Sequence, residues 1–398
     1  MNVRVDSCSI KGQINAIPSK SFAHRVCICD FLSNQEIRDK FSSFNSKDIT
    51  ATANCLNAIK RGEKTLDCDE SGSTLRFLLP LSATLGGEFL FVGKGRLMQR
   101  PNQELFEVLT SHGVSVSQDE TGIKIKGKLT AGEYKIRGDV SSQYISGLLM
   151  ALPNLDGDSK IVLRTPLSSK PYVDITIQVL REYGVEIQSL ENGYFIKGCQ
   201  TFKGNGKVEG DWSNMAFFLC LGAIAGEIIV NGLNLNSVQG DKKILSVLES
   251  AGAQVICEKD KITIKKSNLK PFSMDADDCP DLVPICAVLG AYASGTTIIK
   301  NVQRLKIKES DRITSTIAML NAFNINAEFD GKNLIVFGGK VKGGKINSYN
   351  DHRIVMASAV LGSGAIGQSE IIDADAVNKS YPIFFNDYQS VGGIANVF

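Results

Sequence analysis

The sequence predicts an α/β (α+β) protein of two domains, each built of three βαβαββ repeats around buried helices. Three observations carry that prediction. The first is length: 398 residues exceed what one ordinary core holds. The second is internal self-similarity. The segments LTSHGVSVSQDETGIKIKG, LREYGVEIQSLENGYFIKG, LESAGAQVICEKDKITIKK and LNAFNINAEFDGKNLIVFG begin at Leu109, Leu180, Leu248 and Leu320, which lie 71, 68 and 72 residues apart. The third is a set of short polar stops with the same period, each followed by an apolar run.

The elements follow in order. In each repeat the leucine closes a helix, and Gly113, Gly184, Gly252 or Asn324 sits where a left-handed cap belongs. Two alternating strands come next, joined by turns such as Glu191-Asn192-Gly193 and Asp330-Gly331. The polar stops are Pro18-Ser19-Lys20-Ser21, Glu70-Ser71-Gly72-Ser73, Asp139 to Gln143, Asp211-Trp212-Ser213, Cys279-Pro280-Asp281 and Asn350-Asp351-His352-Arg353. Each is where a helix N-cap is expected. The runs after them are apolar on more than one face, as in Ile145, Leu148, Leu149 and Leu152, which argues for buried helices. A second, more amphipathic helix per repeat starts at Arg100-Pro101, Lys170-Pro171, Gly240-Asp241-Lys242 or Lys308-Glu309.

The expected domain cut falls after the third repeat. Residues 17–210 would hold repeats one to three, and residues 1–16 with 211–398 would hold repeats four to six. The N-terminal strand, Val3 to Ile14, is expected to complete the second of these. A solenoid is the competing architecture, but no capping repeats are visible.

Composition narrows the function classes. Lys plus Arg (44) nearly balances Asp plus Glu (42), so nothing points to nucleic acid or a membrane surface. No apolar run approaches the ~20 residues of a membrane helix. The N-terminus has no apolar h-region and is not read as a secretory signal. Ten cysteines without a repeated C-x-x-C suggest free thiols in a reducing cytoplasm. Three histidines without H-E-x-x-H give no reason to expect a metal.

Charge placement is the functional signal. Lys20, Arg25, Arg76, Arg100, Lys170, Lys308, Arg312, Arg353 and Lys379 lie at or just inside helix starts, where the helix dipole disfavours cations. A polyanionic ligand would compensate them, since helix N-termini, arginine forks and lysines all suit phosphate and carboxylate. Asp281, Glu309 and Asp351 stand among them as candidate acids or bases. Asp311 is read only as helix-start charge. Phosphate loops of the G-x-x-x-x-G-K-[ST] type, a dinucleotide G-x-G-x-x-G and a G-x-S-x-G elbow are all absent.

The motifs S-K-S-x-x-x-R (19–25), Ser71-Gly72-Ser73-Thr74-Leu75-Arg76, Arg100-Pro101, Ser141-Ser142-Gln143, Ser169-Lys170-Pro171-Tyr172, Pro280-Asp281, K-E-S-D-R (308–312), N-D-H-R (350–353) and Lys379-Ser380-Tyr381-Pro382 occur in this order. In that set the chain resembles the EPSP synthase family of enolpyruvyl transferases. The resemblance implies two domains, each an inside-out α/β barrel, closing over a cleft that holds the active site. It implies transfer of the enolpyruvyl group of phosphoenolpyruvate to the 5-hydroxyl of shikimate 3-phosphate, with no cofactor, in a cytoplasmic protein expected to be a monomer. Shikimate 3-phosphate would be held by Lys20, Ser21, Arg25, Ser141, Ser142, Gln143, Ser169, Asp281 and Lys308. Phosphoenolpyruvate would be held by Lys20, Gly72, Arg100, Gln143, Arg312, Arg353 and Lys379. Asp281, Glu309 and Lys20 would move the protons. Departures from the family pattern are Glu70 and His24, each where Asn is common, and Arg304, where some members carry Asn. The related UDP-N-acetylglucosamine enolpyruvyl transferases lack S-K-S-x-x-x-R and use a loop cysteine, which the stretch 93–101 does not contain. A catalytically silent anion-binding repeat protein is the other rival.

Overall fold

The computed structural model describes residues 1–37 and 46–398. Its α-helices alternate between two kinds. The first kind comprises α1 (Lys20–Leu32), α3 (Gly72–Leu85), α5 (Ser142–Ala151), α7 (Trp212–Ala225), α9 (Val283–Tyr292) and α11 (His352–Ser363), buried along most of their length. The second comprises α2 (Lys47–Lys60), α4 (Gln103–Thr110), α6 (Lys170–Glu182), α8 (Ile244–Ser250), α10 (Arg312–Ala322) and α12 (Phe384–Ser390), buried on one face. The sequence dictates this split. Helix α7 is apolar on every side, and Trp212, Phe217 and Phe218 are fully buried, each worth ~1.5–3 kcal/mol.

The caps behave as the repeat predicts. Gly113, Gly184, Gly252 and Asn324 have φ of 89°, 74°, 78° and 63°. Gly62 after α2 and Gly392 after α12 adopt the same geometry, so all six second helices end alike. At the polar stops, Ser71, Ser141, Asp211 and Asp351 accept a backbone N–H of the first turn. The stop at Cys279 to Asp281 departs from expectation. Pro280 opens a 3-10 turn, Pro280–Leu282, and α9 starts only at Val283, so Asp281 lies inside the turn and is the N-cap of neither element.

Five four-stranded sheets form among the described residues, all with one pattern: a parallel pair extended by two antiparallel neighbours. In the second repeat Thr65–Asp67 runs parallel to Glu88–Val92, then Gly122–Gly127 and Val114–Asp119 follow antiparallel. The N-terminus is not the single strand expected over Val3 to Ile14. Val3–Asp6 joins the sixth repeat, between Ser369–Ile372 and Ile394–Val397, whereas Ile10–Asn15 opens the fourth, parallel to Gly226–Asn231. The break at Ser7 to Ser9 moves the chain from one sheet to the next, with the Cys8 amide donating to the Ser363 carbonyl at 3.0 Å. The first repeat supplies α1 and α2 but no sheet among the described residues.

The chain divides into two compact units, Met1–Ser19 with Glu209–Phe398, and Lys20–Val208. In the first, α7, α9 and α11 pack on one another; in the second, α3 packs on α5 and α1 on α6. Among the described residues no helix is long and apolar enough to cross a membrane.

Candidate active site

In the Lys20–Val208 unit the motif residues sit on the starts of buried helices. Lys20 opens α1, and its Nζ donates to Asp48 Oδ2 on α2 at 2.7 Å. One turn on, Arg25 is almost fully buried. Its guanidinium donates to Thr176 Oγ1 (2.6 Å), the Ser21 carbonyl (2.6 Å), Ser146 Oγ (3.2 Å) and the Tyr172 carbonyl (2.8 Å), and lies 4.9 Å from the Phe77 ring centre. All these partners are neutral. Burial pushes Arg25 down to about 9, so it stays charged at neutral pH with no carboxylate bonded to it. These bonds engage four of its five N–H groups.

Gly72 begins α3 against Arg100. A Cβ on Gly72 would lie 2.6 Å from Arg100 Nη1. Gln143, in the first turn of α5, is fixed at both ends of its amide. Its Oε1 accepts from Arg76 Nη1 at 2.7 Å, and its Nε2 donates to Ser73 Oγ at 2.9 Å. Arg76 also donates to Asn102 Oδ1 (3.0 Å) and the Pro101 carbonyl (3.0 Å), so it ties the Gln143 side chain to the turn that carries Arg100. Ser141 caps α5, with Ser142 buried behind it. Ser169 precedes α6 in a left-handed conformation, φ 56°, uncommon for a residue with a side chain.

In the other unit the charges meet one another. Arg312 opens α10 and is fully buried. Its Nε donates to Asp351 Oδ2 at 3.0 Å and its Nη1 to Asp281 Oδ1 at 2.8 Å, and Nη2 pairs with Glu309. Arg353, on the first turn of α11, donates to Asp281 Oδ2 at 2.9 Å. Asp281 therefore bridges two guanidinium groups. Burial alone would raise its carboxyl, but Arg353, Lys308 and Arg312 hold it well below the usual carboxylate range. Burial would also lower Arg312, but Asp351, Glu309 and Asp281 hold it above the ordinary arginine value. Lys308, half-buried before α10, is pulled down to about 8 by desolvation, with Asp281 opposing. Lys379 Nζ donates to the Asn350 carbonyl at 2.7 Å. Asp311 caps α10 by accepting from the Thr314 amide at 3.2 Å, the modest part its position suggested.

Sequence reasoning overlooked several supporting residues. Asp48 reads as an ordinary helix-start acid, and Thr176, Ser146 and Asn102 as polar residues inside or beside helices. Only their distance in the chain from their partners makes them informative, and a single sequence does not encode that. Among the described residues no group of three or more His, Cys, Asp or Glu side chains is placed to hold a metal.

The fold is shared with solved enolpyruvyl transferases. An EPSP synthase from Acinetobacter baumannii matches the fold with a TM-score of 0.80 at 22% identity, covering 100% of both chains. The enolpyruvyl transferase NikO from Streptomyces tendae matches with a TM-score of 0.77 at 15% identity, covering 99% of this chain and 98% of that one. The family model described as EPSP synthase (3-phosphoshikimate 1-carboxyvinyltransferase) matches residues 41–388. A 3-phosphoshikimate 1-carboxyvinyltransferase from Clostridium novyi is 39% identical, over 99% of this chain and 98% of its own length. One of the same name from Clostridium acetobutylicum is 39% identical over 98% of this chain and 97% of its own. The chain belongs to the EPSP synthase family.

Proposed function

We propose that this chain transfers the enolpyruvyl group of phosphoenolpyruvate to the 5-hydroxyl of shikimate 3-phosphate, releasing phosphate, with the residues named from the sequence in the roles given there. The observation that carries the reading is the cluster of Asp281, Glu309, Arg312 and Arg353. Two guanidinium groups and two acids share hydrogen bonds at a helix start, with Lys308 alongside. A substrate carboxylate or phosphate can replace an acid on each arginine. The displaced Asp281 then loses the contacts that hold its proton affinity down and becomes a competent base.

The chemistry is addition followed by elimination. Asp281 takes the proton of the 5-hydroxyl as its oxygen bonds to the substituted vinyl carbon. Glu309, with Lys20, delivers a proton to the terminal carbon, giving a tetrahedral intermediate. Elimination returns a proton from the new methyl group to the groups that delivered one, Glu309 with Lys20, as the bond to the phosphate oxygen breaks and phosphate leaves. Arg312, Arg353, Arg100 and Lys379 stabilise the charge that develops on the departing phosphate. On the acceptor, Arg25 supports the assignment, because a buried cation with neutral partners gains most from an anion. A cytoplasmic monomer without a cofactor completes the reading, and the ten free cysteines fit a reducing compartment. Since Gly72 is kept, glyphosate should compete with phosphoenolpyruvate.

The test is phosphate release from phosphoenolpyruvate, measured with and without shikimate 3-phosphate. Release that depends on shikimate 3-phosphate is expected. Release that depends on UDP-N-acetylglucosamine instead, or no release with either acceptor, overturns the reading.

A further inference from the structure

The second helices of the repeats start on motif residues: Arg100, Lys170, and Lys308 with Glu309. The fourth repeat has Gly240-Asp241-Lys242 at that place, and Asp241 has no part in the scheme above. It sits on a 3-10 turn, Gly240–Lys243, that packs against the start of α7. Asp241 is 5% exposed, and its Oδ1 has no hydrogen-bond partner. A buried carboxylate with one oxygen lacking a donor, and only the Ser213 hydroxyl to assist it, is costly to ionise and tends to keep its proton.

Its surroundings are those of the proposed site. Asp281 and Cys279 face it from the turn before α9, Cys286 from α9, Arg353 from α11, Asp211 and Ser213 from the start of α7, and Lys243 from its own turn. Burial first, and Asp281 second, push the Asp241 carboxyl up to about 7, with Arg353 opposing. Asp281 itself is held well below the usual range. Two acids acting on one arginine are thus driven apart, Asp281 towards its ionised form and Asp241 towards its neutral one, which is the arrangement that separates roles in acid–base sites.

We propose that Asp241 is a positioning residue of the transfer reaction, a buried carboxyl that works in its neutral form and, on ionising, draws Arg353 away from Asp281 and weakens the hold on phosphoenolpyruvate. This rests on the reading of Arg353 and Asp281 given above. The sign is fixed by linkage. The folded chain keeps this proton to a higher pH than the unfolded chain, so Asp241 lowers stability progressively from about pH 4 to about pH 7, levelling off above. The neutral isostere removes that loss.

The experiment compares the full-length wild type with Asp241→Asn. Without substrates, Tm is measured from pH 5 to pH 8.5. The variant should gain on the wild type as pH rises, and a gap that is flat, or that favours the wild type at pH 8, overturns the proposal. A variant that does not fold at pH 8 counts as the latter. With substrates, the KM for phosphoenolpyruvate should rise about tenfold in the wild type between pH 6 and pH 8, as one ionisation near neutrality requires. The ionisation of phosphoenolpyruvate is common to both proteins, so the difference between them reads Asp241. In the variant the rise should fall to about threefold or less, and an equal rise overturns the proposal. A titration of 13C-labelled aspartate carboxyls in the unliganded wild type should show one carboxyl changing state near neutral pH. A wild type with no transferase activity would sink the functional reading while the Tm and carboxyl titrations still report the proton, so the two failures are distinguishable.

Discussion

Arg25 and Arg312 are both buried guanidinium groups on motif helices, one in each compact unit, and they are held in opposite ways. Arg25 is ringed by hydroxyls and carbonyls, whereas Arg312 is ringed by three carboxylates. The first is an uncompensated charge, depressed by burial; the second is compensated and held above its ordinary value. Around Arg25 the chain uses neutral hydrogen bonds and close packing, leaving a cation that an anion can complete. Around Arg312 it uses ion pairs, which the proposed substrate anion would enter by exchange.

The largest effect should come from removing the compensated charge. Arg312→Ala leaves Asp351, whose side chain is fully buried, without its guanidinium partner, and takes one of the two guanidinium groups from Asp281. Breaking a buried pair from one side costs about 3–5 kcal/mol. Arg25→Ala loses only hydrogen bonds to neutral groups and relieves a desolvated charge, so it should cost less stability and mainly weaken acceptor binding. Urea unfolding and calorimetric titration with shikimate 3-phosphate would compare them, and a larger stability loss for Arg25→Ala would break the contrast. The pH dependence differs too. Asp281 is depressed when folded, so its contribution is fully present above about pH 4 and is lost only as pH falls towards its folded value. Arg312→Ala should therefore flatten the acid limb of the stability curve.

The contrast was only partly legible in the sequence. The repeat was visible because capping and burial are local: a glycine after an amphipathic run and a Ser or Asp before an apolar run each report their own geometry. Cap residues therefore fell where expected at Gly113, Ser71 and Asp351. What failed was non-local. Val3 to Ile14 alternates like one strand, yet its halves belong to repeats four and six, and nothing between residues 3 and 14 encodes which sheet receives them. Cations at helix starts point to a polyanionic ligand, but the sequence does not tell which of them an acid of the chain already holds. The structure divides them, because Asp48, Asp281 and Asp351 already pair with Lys20, Arg353 and Arg312.

A second test reaches the neutral network behind Lys20. His24 Nδ1 lies 2.7 Å from Thr52 Oγ1, Thr52 lies 2.6 Å from Thr74 Oγ1, and Thr74 donates to Ser71 Oγ at 2.7 Å. This chain of hydroxyls links α1, α2 and the cap of α3. Burial, with Lys20 and Arg25 nearby, keeps the imidazole neutral, so it contributes hydrogen bonds and no charge. Thr52→Val keeps the shape and leaves His24 Nδ1 without its partner, while Nε2 already has none. The expected loss is about 1–3 kcal/mol by thermal unfolding. An unchanged Tm would show that the network does not stabilise this unit.

Gly72→Ala tests packing with no change of charge or hydrogen bonding. The added Cβ would meet Arg100 Nη1 at 2.6 Å and Cζ at 3.0 Å. Both atoms lie at the end of a flexible side chain, so the guanidinium swings aside and the backbone stays. Alanine is also the better helix former, so stability should change by about 0.5 kcal/mol or less. The cost should instead fall on the ligand that Arg100 is proposed to hold. A displaced charge-assisted contact predicts a KM for phosphoenolpyruvate about tenfold higher, with little change in that for shikimate 3-phosphate. Inhibition by glyphosate should weaken in parallel. Equal rises in both KM values would mean that Arg100 does not serve phosphoenolpyruvate alone, and the division of labour assigned to this unit would have to be redrawn.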